Sequence, residues 1–382
     1  MHLPLDYETL RLIWWFLLGV LLIGFAIMDG FDLGTAALLP FVARTDTQRR
    51  VAINAIGATW EGNQVWFILG GGAIFAAWPL IYATSFSGFY VALFLVLAAL
   101  IMRPVGFEFR QKIADPRWRA FWDYALCFGG IVPSLVFGVA VGNLFLGVPF
   151  RIEGDMRVVY EGTGLFELLN PFGLMCGLVS LTMLTGHGAA WLAFKTEGEV
   201  NMRARIAAMI LSTTCAALFL LAGIWVKQLD AFRIVSEVAP NAPSDPLVKH
   251  VGMVAGGWMD NYISHPVLFV VPMVGVVGLL AHAAFTGVRW RLAAFIASGF
   301  GISGVIGTAG ISLFPFLLPS SIQPEASLTV WDASSSHFTL FVMLCATLIF
   351  LPIVLAYTGL VFRVLRGAIS EEHVLAKSSG LY

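Results

Sequence analysis

Apolar residues run along this chain in long blocks separated by short polar stretches. A helix needs roughly 20 consecutive apolar residues to cross the hydrocarbon core of a bilayer. Nine blocks meet that need, at about 12–40, 51–77, 78–102, 120–147, 164–194, 206–226, 263–286, 292–318 and 337–362. They predict nine membrane-spanning helices. The breaks have turn chemistry: Trp78-Pro79 divides the second block from the third, and Pro315, Pro319 and Pro324 follow the eighth. The first block does not read as a signal peptide, because Asp6 and Glu8 stand where a basic leader is required and the block runs past the usual length. The longest connection, about 227–262, is polar, carries Pro240, Pro243 and Pro246, and has room for a short helix. No composition shift or internal repeat divides the chain. Residues 1–382 therefore read as one all-α polytopic membrane domain.

Composition narrows the class further. The chain is 59% hydrophobic and 12% charged, with mean hydropathy +0.85, whereas soluble domains carry about 25% charge. A soluble fold, a coiled coil and a disordered chain are excluded. A formal net charge of −1 leaves no basic face for nucleic acid. The spacings Gly30/Gly34, Gly138/Gly142 and Gly173/Gly177 are GxxxG pairs and predict close helix contacts. Cys127, Cys176, Cys215 and Cys345 all fall in apolar stretches without a CxxC, so they read as packing residues, not as a disulfide framework or zinc site.

Basic residues orient the chain. Nine spans put the termini on opposite sides, and roughly three-quarters of the 22 Lys and Arg, from Arg44 to Lys377, fall on one set of connections. The positive-inside rule makes that set cytoplasmic. The N-terminus is then periplasmic and the C-terminus cytoplasmic.

Charge inside the spans is sparse and confined to the first half of the chain. Asp29 and Asp32 lie three apart in the first span and share a face. Glu61 sits in Trp60-Glu61-Gly62-Asn63-Gln64 in the second, Arg103 ends the third, and Asp123 opens the fourth. At ~1.5 Å per residue, Glu61 and Asp29 lie roughly 15 Å below the basic face, near mid-bilayer. Asp32, Arg103 and Asp123 lie nearer the surface, where Asp32 and Asp123 are expected to be solvated. A charge at the bilayer centre costs about 2.5 kcal/mol or more, so these residues should face protein or water and have partners. Two readings follow from the residues alone. In one, the carboxyls with Asn63 and Gln64 form an inward proton path. In the other, Asp29, Glu61 and Arg103 form a buried ionic staple.

Other candidates are weaker. His187 and His282 lie toward the inner ends of the fifth and seventh spans and could be imagined as axial haem ligands, but each reads more simply as a satisfied polar residue. No CxxCH, Walker A or HExxH motif is present. Asp332 reads as the N-cap of the last span, with Trp331 as an interfacial belt residue.

Several segments together resemble one family: Leu22-Ile23-Gly24-Phe25-Ala26 followed by Asp29-Gly30-Phe31-Asp32, Trp60-Glu61-Gly62-Asn63-Gln64-Val65-Trp66, Phe86-Ser87-Gly88-Phe89-Tyr90, Arg103-Pro104-Val105-Gly106-Phe107, Leu169-Asn170-Pro171-Phe172-Gly173, and Leu313-Phe314-Pro315-Phe316 through Trp331-Asp332-Ala333. Over nearly its whole length the chain looks like subunit II of cytochrome bd-type quinol oxidases. The resemblance implies two four-helix bundles plus one extra helix, paired with a homologously folded subunit I that binds haem b and haem d and oxidises quinol. It implies no haem ligand and no catalytic centre in this chain, with small single-helix accessory subunits and a structural quinone as further possible components. It also implies that Asp29 and Glu61 belong to a cytoplasmic proton pathway along the subunit interface, with Arg103 and Trp60 beside it. The family position at Glu61 can be Asp, so the carboxyl here reaches about one methylene further.

The function expected is that of a non-haem partner subunit of a respiratory quinol:oxygen oxidoreductase in the bacterial inner membrane. Its rivals are a proton- or ion-coupled secondary transporter and a purely structural subunit. The transporter class often repeats its broken helices in both halves, which the one-sided distribution of acids here does not do.

Overall fold

The computed structural model describes residues 3–162 and 164–376; His2 and Lys377 lie outside the described residues. Each of the first three apolar blocks folds as a helix with a break. In the first, α1 (Tyr7–Met28) and α2 (Gly30–Val42) meet at Asp29. α1 begins where the Asp6 carboxylate accepts from the Thr9 backbone N–H, the usual device for an unpaired first-turn donor. In the second, α3 (Asp46–Gly57) and α4 (Trp60–Ala77) are separated by Ala58-Thr59. In the third, α5 (Pro79–Gly88), opened by a proline at its first position, leads through Phe89 into α6 (Tyr90–Phe109). The fourth block is α7 (Pro116–Leu146), unbroken despite Pro133.

A hairpin of β1 (Phe150–Ile152) and β2 (Val158–Tyr160), then the single turn α8 (Leu165–Leu168), connects to α9 (Pro171–Lys195) and α10 (Gly198–Val226). The long polar connection holds an antiparallel hairpin, β3 (Asp230–Ile234) with β4 (Val251–Ala255), besides the short helix α11 (Asp260–Ser264). Then follow α12 (Val270–Gly287), α13 (Arg291–Leu313), the paired β5 (Phe316–Leu318) and β6 (Leu328–Thr329), α14 (His337–Val364) and α15 (Glu371–Ala376).

Among the described residues, eight helical segments are long and apolar enough to cross a membrane. They match eight of the nine predicted spans. The second span is the exception, because it breaks after Gly57 and because Glu61, Asn63 and Gln64 dilute the apolar character of α4. Two edges also differ from expectation. The eighth span stops at Leu313, since Phe316–Leu318 turns aside to pair with Leu328–Thr329. The fifth starts at Pro171, which leaves Glu167 in α8.

α1, α2, α4, α6 and α7 form one helical group, and α9, α10, α12 and α13 form a second. Packing of α2 and α7 on α9 joins them. α14 lies outside both, against α1 and α4, with most of its surface exposed. This is the two-bundle-plus-one arrangement the resemblance implied. The GxxxG pairs are the joints. A Cβ on Gly34 would lie 2.1 Å from the Leu184 carbonyl oxygen, and one on Gly138 would lie 2.2 Å from that of Cys176. Gly142 meets Gly173, and Gly177 meets Val139. Removing side chains at these points lets α2 and α7 approach α9 closely enough for backbone dispersion contacts, which replace hydrophobic burial as the cohesive force in lipid.

Two residue-level expectations fail here. Asp332 does not cap α14; Ser336 does, accepting from the Thr339 N–H. Asp332 instead reaches backward, accepting from the Thr329 N–H at 2.9 Å and hydroxyl at 2.7 Å, and pairs with buried Lys249 at 3.0 Å. Trp331 is half-buried, edge-on to Phe314. Of the four free cysteines, Cys127, Cys176 and Cys215 pack inside, but Cys345 is exposed on α14.

Candidate functional site

Asp29 stands at the junction of α1 and α2, in a right-handed helical conformation with its N–H still bonded to the Phe25 carbonyl, and its side chain is buried. Arg103 of α6 grips it with both terminal nitrogens: Nη2 donates to Oδ1 at 2.8 Å and Nη1 to Oδ2 at 3.1 Å. Both side chains are almost wholly buried. The fork-to-fork geometry is the one that best repays desolvation of a buried pair. One turn on, Asp32 is also fully buried and takes a 2.8 Å hydrogen bond from Asn63 Nδ2 of α4. Asp32 Oδ1 and Arg103 Nε are buried with no hydrogen-bond partner. Trp60, at the start of α4, is buried against Phe107 with its indole N–H likewise unpaired. Asp32 is therefore not the solvated residue expected from its position.

Asp123 departs from expectation in the same way. It is fully buried and held by two arginines: Arg110 Nε at 2.6 Å and Arg49 Nη1 at 2.7 Å. Arg110 also donates to Asp46 at 2.9 Å, and Asp46 accepts from Arg119 at 2.9 Å. Burial lowers the Arg110 pKa, but its bonds and attraction to Asp123 and Asp46 outweigh that and hold it above its ordinary value. Arg103 and Arg110 are seven residues apart along one face of the chain at α6, so their carboxylate clusters are separated by roughly 10 Å. Gly106 packed on Leu126, and Phe107 on Trp60, fill the interval. The sequence reading missed Arg49, Arg110, Arg119 and Asp46; the density of arginine near Asp123 was the available signal.

Glu61 lies elsewhere. It is exposed on the surface of α4, while Asn63, two positions on and so across the helix, faces the buried acids. Gln64 is half-buried. The staple is thus real for Asp29 and Arg103, but Glu61 is not part of it. Glu61 belongs to a stripe of exposed positions at helical spacing: Ala58, Glu61, Val65, Ile68, Gly72 and Phe75. As the acidic residue of α4's first turn, it also sits where the helix dipole favours negative charge.

The expectation of a satisfied polar residue holds for His187 but not for His282, whose Nε2 is buried with no hydrogen-bond partner among the described residues. His187 Nδ1 lies 2.7 Å from Ser298 Oγ and Nε2 lies 2.9 Å from the Ile27 carbonyl, with the ring stacked on Phe295. Both nitrogens being engaged, His187 does not fit an axial haem ligand. Among the described residues no group of three His, Cys, Asp or Glu converges as a metal site.

Against known proteins, the model of the family "Cytochrome bd terminal oxidase subunit II" matches residues 10–365. The chain belongs to this family. It is 46% identical to the Escherichia coli cytochrome bd-I ubiquinol oxidase subunit 2 over 379 residues, covering 99% of this chain and 100% of the relative. A probable cytochrome oxidase subunit 2 of Haemophilus influenzae is 48% identical over 378 residues, with 99% and 100% covered. The Bacillus subtilis cytochrome bd ubiquinol oxidase subunit 2 is 31% identical over 365 residues, with 95% and 98% covered. In three dimensions the chain resembles the bd oxidase from Geobacillus thermodenitrificans at a TM-score of 0.70 and 17% identity, over 93% of this chain and 98% of that one, a likeness of fold.

Subunit II membership settles the coarse questions. The chain is a multi-pass protein of the bacterial inner membrane and one subunit of a haem-containing oxidoreductase complex, with a partner subunit I. The transporter reading is thereby set aside.

Proposed function

We propose that this subunit serves a quinol:oxygen oxidoreductase by supporting its assembly and carrying protons from the cytoplasm toward the oxygen-reducing haem site of subunit I, which binds haem b and haem d. The observation that carries the reading is the buried set Asp29, Arg103 and Asp32. Arg103 is paired with Asp29, while the Asp32 carboxyl takes a hydrogen bond only from neutral Asn63, so the set holds either one proton or one uncompensated charge, and a carboxyl oxygen lies unpaired within it. A site with that balance can take up and release a proton while staying folded. A purely structural staple needs only Asp29 and Arg103.

Glu61 supplies the outward step. A carboxylate near mid-bilayer costs about 2.5 kcal/mol or more when it faces lipid. Covering the α4 stripe with subunit I removes that cost and turns Glu61 toward the partner. Asn63 on the inner side of α4 and Glu61 on its outer side, beside the break at Ala58-Thr59, then make α4 the crossing point between the two subunits. With the basic end cytoplasmic, protons enter from the side of Asp123 and Arg110. Each charge moved against 100 mV stores ~2.3 kcal/mol. Protons drawn from one side only would thus make turnover electrogenic without pumping.

Replacing Glu61 with Gln keeps the shape and removes the titratable proton. Oxygen reduction by the assembled complex should slow by about tenfold or more, with subunit ratio and haem spectrum unchanged. Normal turnover would remove Glu61 from the path. Asp29→Asn separates the structural alternative: lowered stability with unchanged turnover per assembled complex would make the buried set a staple only.

A further inference from the structure

A second cationic feature lies away from the acids, where α10, α12 and α13 meet at the basic end. Arg205 of α10 lays its guanidinium across the end of α12: Nη2 donates to the carbonyls of Thr286 at 3.0 Å and Gly287 at 3.1 Å, and Nε to that of Thr286 at 3.2 Å. These bonds fix the guanidinium in place and leave Nη1 without a protein acceptor. The turn between α12 and α13 then brings up two more arginines. Arg289 adopts a left-handed conformation (φ 64°), and the Arg291 N–H donates to its carbonyl at 3.0 Å, so the two side chains flank Trp290. Arg289, Trp290 and Arg291 are all exposed, and the charges of Arg289 and Arg291 act directly on Arg205.

None of the three arginines has a carboxylate partner among the described residues. Their neighbour Arg203, by contrast, is paired with Glu199 and bonded to Gln48. Three like charges near one another repel, and among the described residues the carbonyls at the end of α12 offset this for Arg205 alone. Around them the surface is apolar: Val288, Trp290, Leu292, Met202 and Ile206 are all exposed. Cations within a few ångströms of lipid-facing side chains, beside a membrane-interface tryptophan, match the two parts of one ligand: an anionic headgroup and its acyl chains.

We propose that Arg205, Arg289 and Arg291 form a binding site for the phosphodiester headgroup of an anionic phospholipid, whose chains lie along Met202, Ile206 and Leu292. Charge complementarity commits the site to phosphatidylglycerol or cardiolipin over a zwitterionic lipid. Free phosphate shares the headgroup chemistry but makes none of the apolar contacts. The site is independent of the proton path.

The test uses the purified complex. Delipidated wild type and an Arg289→Gln/Arg291→Gln double variant are placed in nanodiscs of phosphatidylcholine doped with either cardiolipin or phosphatidylglycerol, and tightly retained lipid is counted by native mass spectrometry. Each basic residue near a charged headgroup contributes about 1 kcal/mol, so losing two should weaken retention of one anionic lipid by roughly 30-fold. Arg151→Gln/Arg157→Gln, at the opposite end, should retain it like wild type. Inorganic phosphate at millimolar concentration should not displace it. Equal retention in the arginine variant, equal affinity for phosphatidylcholine, or displacement by phosphate would each overturn the proposal. Should the variant not assemble, selective retention by wild type that falls as salt is raised supports the site, and salt-independent retention overturns it.

Discussion

Buried charges in this protein differ in how completely they are repaid. Asp29 and Arg103 form two parallel hydrogen bonds that engage both carboxylate oxygens, while Arg103 Nε stays buried without a partner among the described residues. Lys249 is less well served. It is buried beside Asp332, and burial pushes its pKa below the ordinary 10.5, with Asp332 pulling the other way and not prevailing. A folded-state pKa below the unfolded one means that the folded protein disfavours the charged lysine. This contribution to stability is fully present above pH 10.5, where both states are neutral, and is lost as pH falls through the lowered folded value. Replacing the pair together, Lys249→Met with Asp332→Asn, should therefore raise the thermal midpoint at pH 7 by an amount equivalent to about 1 kcal/mol, and should abolish the stability gain that wild type shows on approaching pH 10.5. The Asp332→Asn side-chain carbonyl can still accept from the Thr329 N–H in that variant, and no buried carboxylate is left without its cation. A midpoint lowered at pH 7 would show that the ion pair outweighs the burial cost.

Helices here are held by absence of side chain as much as by its presence. Gly34 and Gly188 put α2 and α9 in backbone contact, with a Cβ on Gly188 falling 2.4 Å from the Gly34 carbonyl carbon. No rotamer relieves a clash with backbone. Gly34→Leu should cost several kcal/mol, on the order of the larger core overpacking effects, and should be read out as loss of assembled, haem-bearing complex from membranes. Gly62→Leu on α4, where nothing lies within 4 Å of a Cβ, should leave the chain's own folding intact. Folding equally well with Leu at 34 would show that the α2/α9 joint can open. The breaks act at this scale too. The interruption at Ala58-Thr59 starts a new helix at Trp60 and so gives Glu61 a first-turn position.

The molecule as a whole is one part of an assembly, and the proposal that subunit I covers the α4 stripe is tested at this scale. Lipid can cover Val65, Ile68 and Phe75, but not Glu61 among them. Gly72 sits on that stripe with open space around it, so Gly72→Trp should fold normally yet reduce co-purification with subunit I several-fold. Gly223→Trp on α10, also open, should not. Undiminished co-purification of the Gly72 variant would move the interface off α4.

The amino-acid pattern by itself determined the membrane class, the placement of the spans, the glycine joints and the identity of the acids, because these follow from hydropathy, from the helical repeat and from the cost of charge in lipid. Motifs around Asp29, Glu61 and Arg103 likewise carried the family. Tertiary structure alone decided who pairs with whom. Asp32 and Asp123 sit near the ends of their spans, where a one-dimensional depth scale places water; neighbouring helices enclose them instead, with Asn63 reaching Asp32 and arginines from other segments reaching Asp123. Asp332 turned back to Thr329 and Lys249 rather than forward to α14, because the β5–β6 turn put those partners closer. Glu61 and Asn63 are two residues apart in sequence and on opposite sides of a helix, and that rotation, invisible to composition, exposes the one and buries the other.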